Sequence, residues 1–149
     1  MTPMLSEEYT THPIAGWLVS EKLDGVRALW TGSELVSRAG KNLHAPAWFT
    51  AQLPAGVMLD GELWIGRGQF QRTLSAIKTD WNGVRFHVFD APECDGGFEQ
   101  RLAFAAQAIA GCDVAEIIPH RVVRDESHLE EIFSVLCALG AEGVILRKP

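Results

Sequence analysis

Residues 22–38 read Lys22-Leu23-Asp24-Gly25-Val26-Arg27-Ala28-Leu29-Trp30-Thr31-Gly32-Ser33-Glu34-Leu35-Val36-Ser37-Arg38, and this stretch decides the fold. Gly25 to Trp30 has the β-branched and aromatic content of a strand, and Leu35 to Arg38 reads as a second. Thr31-Gly32-Ser33 between them is a turn signal, so the pair is expected to form a hairpin. Upstream, Trp17 to Ser20 reads as another short strand. Downstream, Val57 to Ile65 is a strand candidate with Gly61 inside it, and Gly66-Arg67-Gly68 then reads as a turn.

The remaining elements follow from periodicity. Apolar residues at Phe70, Leu74 and Ile77 predict a short helix over 70–78. Val84 to Asp90 reads as a strand, and the alanine-rich run from Phe98 to Ala110 as a helix. Ser127 and Glu130 match a capping box ahead of Leu129, Ile132, Phe133, Leu136 and Leu139, which read as a core stripe. Gly140 is placed to stop that helix, and Glu142 to Arg147 reads as a terminal strand. Strands and helices do not alternate regularly, so the expected class is α+β rather than a doubly wound parallel sheet. Residues 1–14, polar with two prolines, read as a loose arm, and 15–149 as one domain.

Composition narrows the function. The 149 residues are 47% hydrophobic and 21% charged, an ordinary globular mix. A net charge of −6 argues against strong unaided grip on a nucleic-acid backbone, where counterion release rewards basic surfaces. Cys94, Cys112 and Cys137 are odd in number and lack CxxC spacing, so neither a disulfide framework nor a zinc site is expected. His12, His44, His87, His120 and His128 show no metal-ligand spacing and read as structural or surface groups. The start of the chain is not a signal peptide, and no stretch reaches the apolar length of a membrane span. The expectation is a cytoplasmic protein without membrane contact, with a periplasmic location open only if a leader precedes this sequence.

The chemistry-bearing stretch is Lys22-Leu23-Asp24-Gly25-Val26-Arg27. It resembles the KxDGxR signature of the covalent nucleotidyltransferases, the ATP-dependent DNA ligases and mRNA capping enzymes. Three later pieces follow in the order found in the ligases: Asp60-Gly61-Glu62-Leu63, Phe86-His87-Val88-Phe89-Asp90, and Glu142-Gly143-Val144-Ile145-Leu146-Arg147. The resemblance spans Trp17 to Arg147. The wording around Val19 to Ala28 and His44 to Phe49 is similar to the small bacterial ligases without accessory domains.

The resemblance implies an ATP-grasp-like covalent nucleotidyltransferase fold, with two packed, mainly antiparallel sheets, flanking helices and ATP in the groove between them. It implies that the Lys22 amine attacks the α-phosphorus of ATP and expels pyrophosphate, leaving lysine–AMP. AMP then passes to the 5′-phosphate of a DNA nick, and the 3′-hydroxyl displaces it to seal the strand. Only a neutral amine attacks, so Arg27 or a bound metal ion is expected to act on Lys22. Gly25 would let the backbone turn tightly beside the nucleotide, and Arg27 offers a planar fork for a phosphate or ribose oxygen. Glu21, Asp24 and Arg38 join the expected nucleotide site, Arg38 touching nucleotide or DNA phosphate. Glu62 would bind the ribose hydroxyl, Phe89 would stack on adenine with Phe86 as the alternative ring, and Glu142 would hold Mg2+ or Mn2+.

In the family a motif of paired lysines and an OB-fold domain follow; this sequence contains neither. The fold is therefore expected to be incomplete at its C-terminus, and the isolated chain to bind ATP weakly and to self-adenylate slowly or not at all. One sheet edge is expected to be left open to pairing. A separate OB-fold chain is a partner that would supply what is missing, alongside nicked double-stranded DNA and ATP. A capping-type guanylyltransferase or RNA ligase shares the lysine chemistry, and an inactive nucleotide-binding remnant is the reading from outside enzymology. Repair, recombination and replication all remain open as roles.

Overall fold

A computed structural model describes residues 13–149. Within these the order is β1 (Leu18–Glu21), β2 (Val26–Trp30), β3 (Leu35–Val36), α1 (Ala47–Thr50), β4 (Leu59–Trp64), α2 (Phe70–Ile77), β5 (Arg85–Asp90), α3 (Phe98–Ala108), β6 (Ala115–Ile117), β7 (Arg121–Val122), α4 (Glu126–Ala138) and β8 (Val144–Arg147). The strands form two sheets, one ordered β7-β1-β8 and the other β3-β2-β4-β5-β6. All neighbours are antiparallel except β5 and β6. The class is α+β, as expected. Residues 1–12 of the expected N-terminal arm lie outside the described residues, while Ile14 is buried in the core.

The pleat divides the five-stranded sheet into two faces with different jobs. Ala28 and Trp30 on β2, Leu59 and Leu63 on β4, and Phe86 and Val88 on β5 all join one apolar cluster. Phe49, Leu53, Ala76, Ala105 and Ile109 cover that face. The opposite face carries Arg27, Glu62 and His87, which the register sets side by side: Arg27 opposite Glu62, and Glu62 opposite His87. A second core joins Ile14, Val19, Val123 and Ile132 under α4, against the three-stranded sheet.

The hairpin of β2 and β3 forms as its turn signal requires, with the Thr31 N–H donating to the Glu34 carbonyl at 3.0 Å. Gly61 sits beside a shift in the β4–β5 register, and a Cβ there would lie 2.5 Å from the His87 carbonyl oxygen. Only glycine lets the strands approach this closely.

Two expectations need correction. The cap of α4 is Asp125, not Ser127 with Glu130: the Asp125 carboxylate accepts the His128 N–H at 2.8 Å. Asp125 has extended backbone and a short side chain, so it reaches the free N–H groups of the first turn, while Ser127 is already inside the helix. The α4 stripe is only half core, because Ile132 is buried while Phe133 is 45% and Leu139 58% exposed. On α2 the fully inward residues are Thr73 and Ala76, and Phe70 faces outward. Short elements α1, β6 and β7 have no counterpart in the sequence reading. No helix among the described residues is long and apolar enough to cross a membrane.

Candidate active site

Lys22 stands where the chain leaves one sheet for the other. β1 ends at Glu21, and residues 22–25 carry the backbone across to β2. The antiparallel register of β1 with β8 pairs Glu21 with Val144. The Lys22 N–H continues that ladder onto the Gly143 carbonyl at 2.8 Å. This brings the next side chain, Glu142, to the lysine: Nζ lies 3.4 Å from Oε1, with both side chains about half exposed. The amine is thus tethered at its backbone and open to solvent at its tip.

Gly25 has a different duty from the one expected. Its φ is not in the left-handed region; instead a Cβ would lie 2.2 Å from the Leu63 carbonyl oxygen. Glycine is required there because the crossing chain presses against β4, not because it turns tightly.

Beneath this crossing lies the polar face of the five-stranded sheet. Arg27 forks onto Asp60, with Nε 2.7 Å from Oδ1 and Nη2 2.6 Å from Oδ2. Asp60 is 1% exposed, so this is a desolvated bidentate pair of the strong kind. Arg27, expected as a cation acting on Lys22 or a phosphate, has its fork engaged by Asp60. Burial pushes the Glu62 carboxyl up to about 7; Arg27 opposes this, and Asp60 and Glu142 add to it. Near neutral pH Glu62 is therefore poised between acceptor and donor.

Phe89 points to this same face, whereas the alternative ring, Phe86, lies on the core face. Phe89 is buried, and two guanidiniums sit over its ring, Arg27 with Cζ 4.8 Å and Arg147 with Cζ 4.5 Å from the centroid. Arg147 comes from β8 and its Nη1 donates to Ser20 Oγ at 3.2 Å, so the two sheets meet over Phe89. Burial, then repulsion from Arg27, lowers the Arg147 pKa to about 10.

Two other expected residues are turned elsewhere. Glu21 is held by Arg67 and Asp24 by Trp64 and Gly68. Arg38 is exposed just beyond β3 and makes no ion pair with the other candidates. Asp60, Arg67 and Arg147 were absent from the sequence-based site. Asp60 carried a signal, being two residues before Glu62 on one strand and hence on the same face.

No protein-family model matches the chain. A curated DNA ligase of Haemophilus influenzae is 36% identical over 152 residues, which is 98% of this chain and 56% of that protein. The chain is a DNA ligase homologue. Among solved structures, one from a structure–function study of Lig E DNA ligases superposes with a TM-score of 0.88 at 36% identity, covering 97% of this homologue and 61% of that chain. The Chlorella virus DNA ligase–adenylate superposes with a TM-score of 0.71 at 25% identity, over 91% of this chain and 55% of the other. The bacteriophage T7 ATP-dependent DNA ligase in complex with ATP shares the fold, with a TM-score of 0.65 at 16% identity. The ligase homologue spans about half the length of the curated relative it matches.

Proposed function

We propose that this chain is the AMP-accepting part of an ATP-dependent DNA ligase, with Lys22 as the acceptor. The observation that carries the reading is the position of Lys22: a half-exposed amine at the junction of two sheets, 3.4 Å from Glu142 and above a face lined by Arg27, Glu62 and Phe89. The amine gives up a proton and attacks the α-phosphorus. The N–P bond forms as the bond to pyrophosphate breaks, leaving lysine–AMP. Transfer of AMP to the 5′-phosphate of nicked DNA, and sealing by the 3′-hydroxyl, would complete the cycle in the whole enzyme.

The roles divide by chemistry. Glu62, with its pKa near 7, binds the ribose hydroxyl and can accept or donate in doing so. Phe89 offers its ring to adenine once a guanidinium moves aside. Arg27 and Arg38 answer phosphate charge, Arg38 that of DNA. Glu142 Oε1 lies 3.4 Å from the Lys22 Nζ, so the amine leaves this pair to reach the α-phosphorus.

A divalent cation suits this site. Among the described residues no group of three or more metal-ligating side chains is clustered. Glu142 offers one hard carboxylate, which suits magnesium, an ion that keeps waters and substrate oxygens as its other ligands. When bound it would supply positive charge against the phosphate.

The test is incubation with magnesium and ATP labelled at the α-phosphate, beside Lys22→Ala. Label that survives denaturation, is released by acid and is absent from Lys22→Ala supports the reading. Label that is equal on Lys22→Ala, or that is taken from GTP in preference to ATP, overturns it.

A further inference from the structure

The turn between β4 and α2 reaches across to the lysine segment. Arg67 on this turn forks onto Glu21, with Nη2 2.8 Å from Oε1 and Nε 2.9 Å from Oε2. Gly68 donates its N–H to Asp24 Oδ2 at 3.1 Å. Trp64, the last residue of β4, donates its indole N–H to Asp24 Oδ1 at 2.9 Å. The carboxylates on either side of Lys22 are thus both taken by protein donors from residues 64–68. The stem of Arg67 also passes the loop that leads from α4 to Glu142: a Cβ on Gly140 would lie 4.0 Å from Arg67 Cδ.

This arrangement answers a mechanical need. A lysine on a segment that crosses between sheets has a flexible stem and no helix or strand around it. In-line attack tolerates little misplacement, since a shift of about 1 Å can cost on the order of a hundredfold in rate. A bidentate guanidinium fixes orientation as well as distance, which a lysine ammonium does not. Arg67 is 38% and Glu21 13% exposed, and an ion pair open to solvent on one side contributes modestly to folding, so stabilisation alone explains the pair poorly.

We propose that Arg67 is a positioning residue for lysine adenylation. With Gly68 and Trp64 it braces residues 21–24 from the five-stranded sheet and so aims Lys22. The inference rests on Lys22 being the AMP acceptor. It also moves Glu21 and Asp24 from nucleotide contact to holding the lysine segment.

The experiment compares the full chain with Arg67→Gln, Glu21→Gln, the double variant and Arg67→Lys. Three readouts are used: amide hydrogen exchange without nucleotide, the unfolding midpoint, and single-turnover lysine–AMP formation over a range of ATP concentrations. Exchange is expected to quicken at Lys22 and Gly68 in both Gln variants, with the β4–β5 ladder unchanged. The saturating rate is expected to fall roughly tenfold to a hundredfold, while the half-saturating ATP concentration moves less than about twofold. The double variant should lose no more than the worse single, because each partner acts through the other. Arg67→Lys should recover part of the rate.

Wild-type exchange and rate in Arg67→Gln would overturn the brace. Losses that multiply in the double variant would overturn the reassignment of Glu21, and a rate loss matched by a lowered unfolding midpoint would reduce Arg67 to a structural role and overturn the proposal. Label that persists on Lys22→Ala is a different result: it sinks the acceptor reading and the positioning role with it, and the exchange data then decide the brace alone.

Discussion

Asp60 accepts Arg27 at both carboxylate oxygens while almost fully buried, so the effect of losing the pair depends on which half is removed. Arg27→Met leaves a buried carboxylate uncompensated, and breaking such pairs costs about 3–5 kcal/mol. That loss is expected in urea unfolding of the variant; a loss below about 1 kcal/mol would mean that Arg147 takes over as partner. Glu62 gives a signed pH dependence. Its folded carboxyl titrates near 7 against an ordinary value of 4.5. The folded state keeps a proton that the unfolded chain releases, so the group's contribution is full at acid pH and is lost as pH rises through 7. Glu62→Gln should therefore match wild type near pH 5 and exceed it by about 1–3 kcal/mol near pH 8, after discounting for partial solvation. An equal difference at both pH values would show that the carboxyl does not titrate in this range.

The elements show what local sequence can and cannot carry. The β2–β3 hairpin was legible because Thr31-Gly32-Ser33 encodes its turn within the strand pair itself. The two residues of β7 and three of β6 carry too little pattern to be read, and they are strands because β1 and β5 offer them a ladder. On α4 the apolar spacing correctly marked a helix, yet spacing records which residues are apolar and not how deep the partner surface extends; Ile132 meets the sheet and Phe133 meets solvent. The same holds for the site. Lys22, Glu62, Glu142 and Arg147 lie in motifs, whereas the contacts of Arg67 with Glu21 and of Arg147 with Phe89 exist only when one sheet reaches the other. The cap of α4 can be checked directly. Asp125→Ala is expected to cost about 1 kcal/mol of unfolding free energy, the usual loss for an N-cap carboxylate. Ser127→Ala should stay within about 0.5 kcal/mol of wild type. The reverse order would restore Ser127 as the cap.

At the scale of the molecule, neither sheet holds a site alone. The three-stranded sheet and the segments at its ends supply Lys22, Glu142 and Arg147, and the five-stranded sheet supplies Arg27, Asp60, Glu62 and Phe89. A nucleotide held between them, as proposed, would contact both and bind only the folded arrangement. Such a ligand stabilises by mass action, about 2.7 kcal/mol when present at 100 times its dissociation constant. For a domain of this size that corresponds to a rise of roughly 5–10 °C in the unfolding midpoint. On the proposed roles, Lys22→Ala would remove covalent capture but leave the surfaces offered to the base, ribose and phosphates, so ATP should raise its midpoint in the same direction. A shift confined to wild type would mean that the covalent bond, not the groove, supplies the stabilisation. The form of the transition matters as much as its position. If the sheets fold as one unit, the whole unfolding curve should move with ATP; a curve that splits, with only one limb responding, would place the nucleotide on one sheet and break the argument that the site is shared.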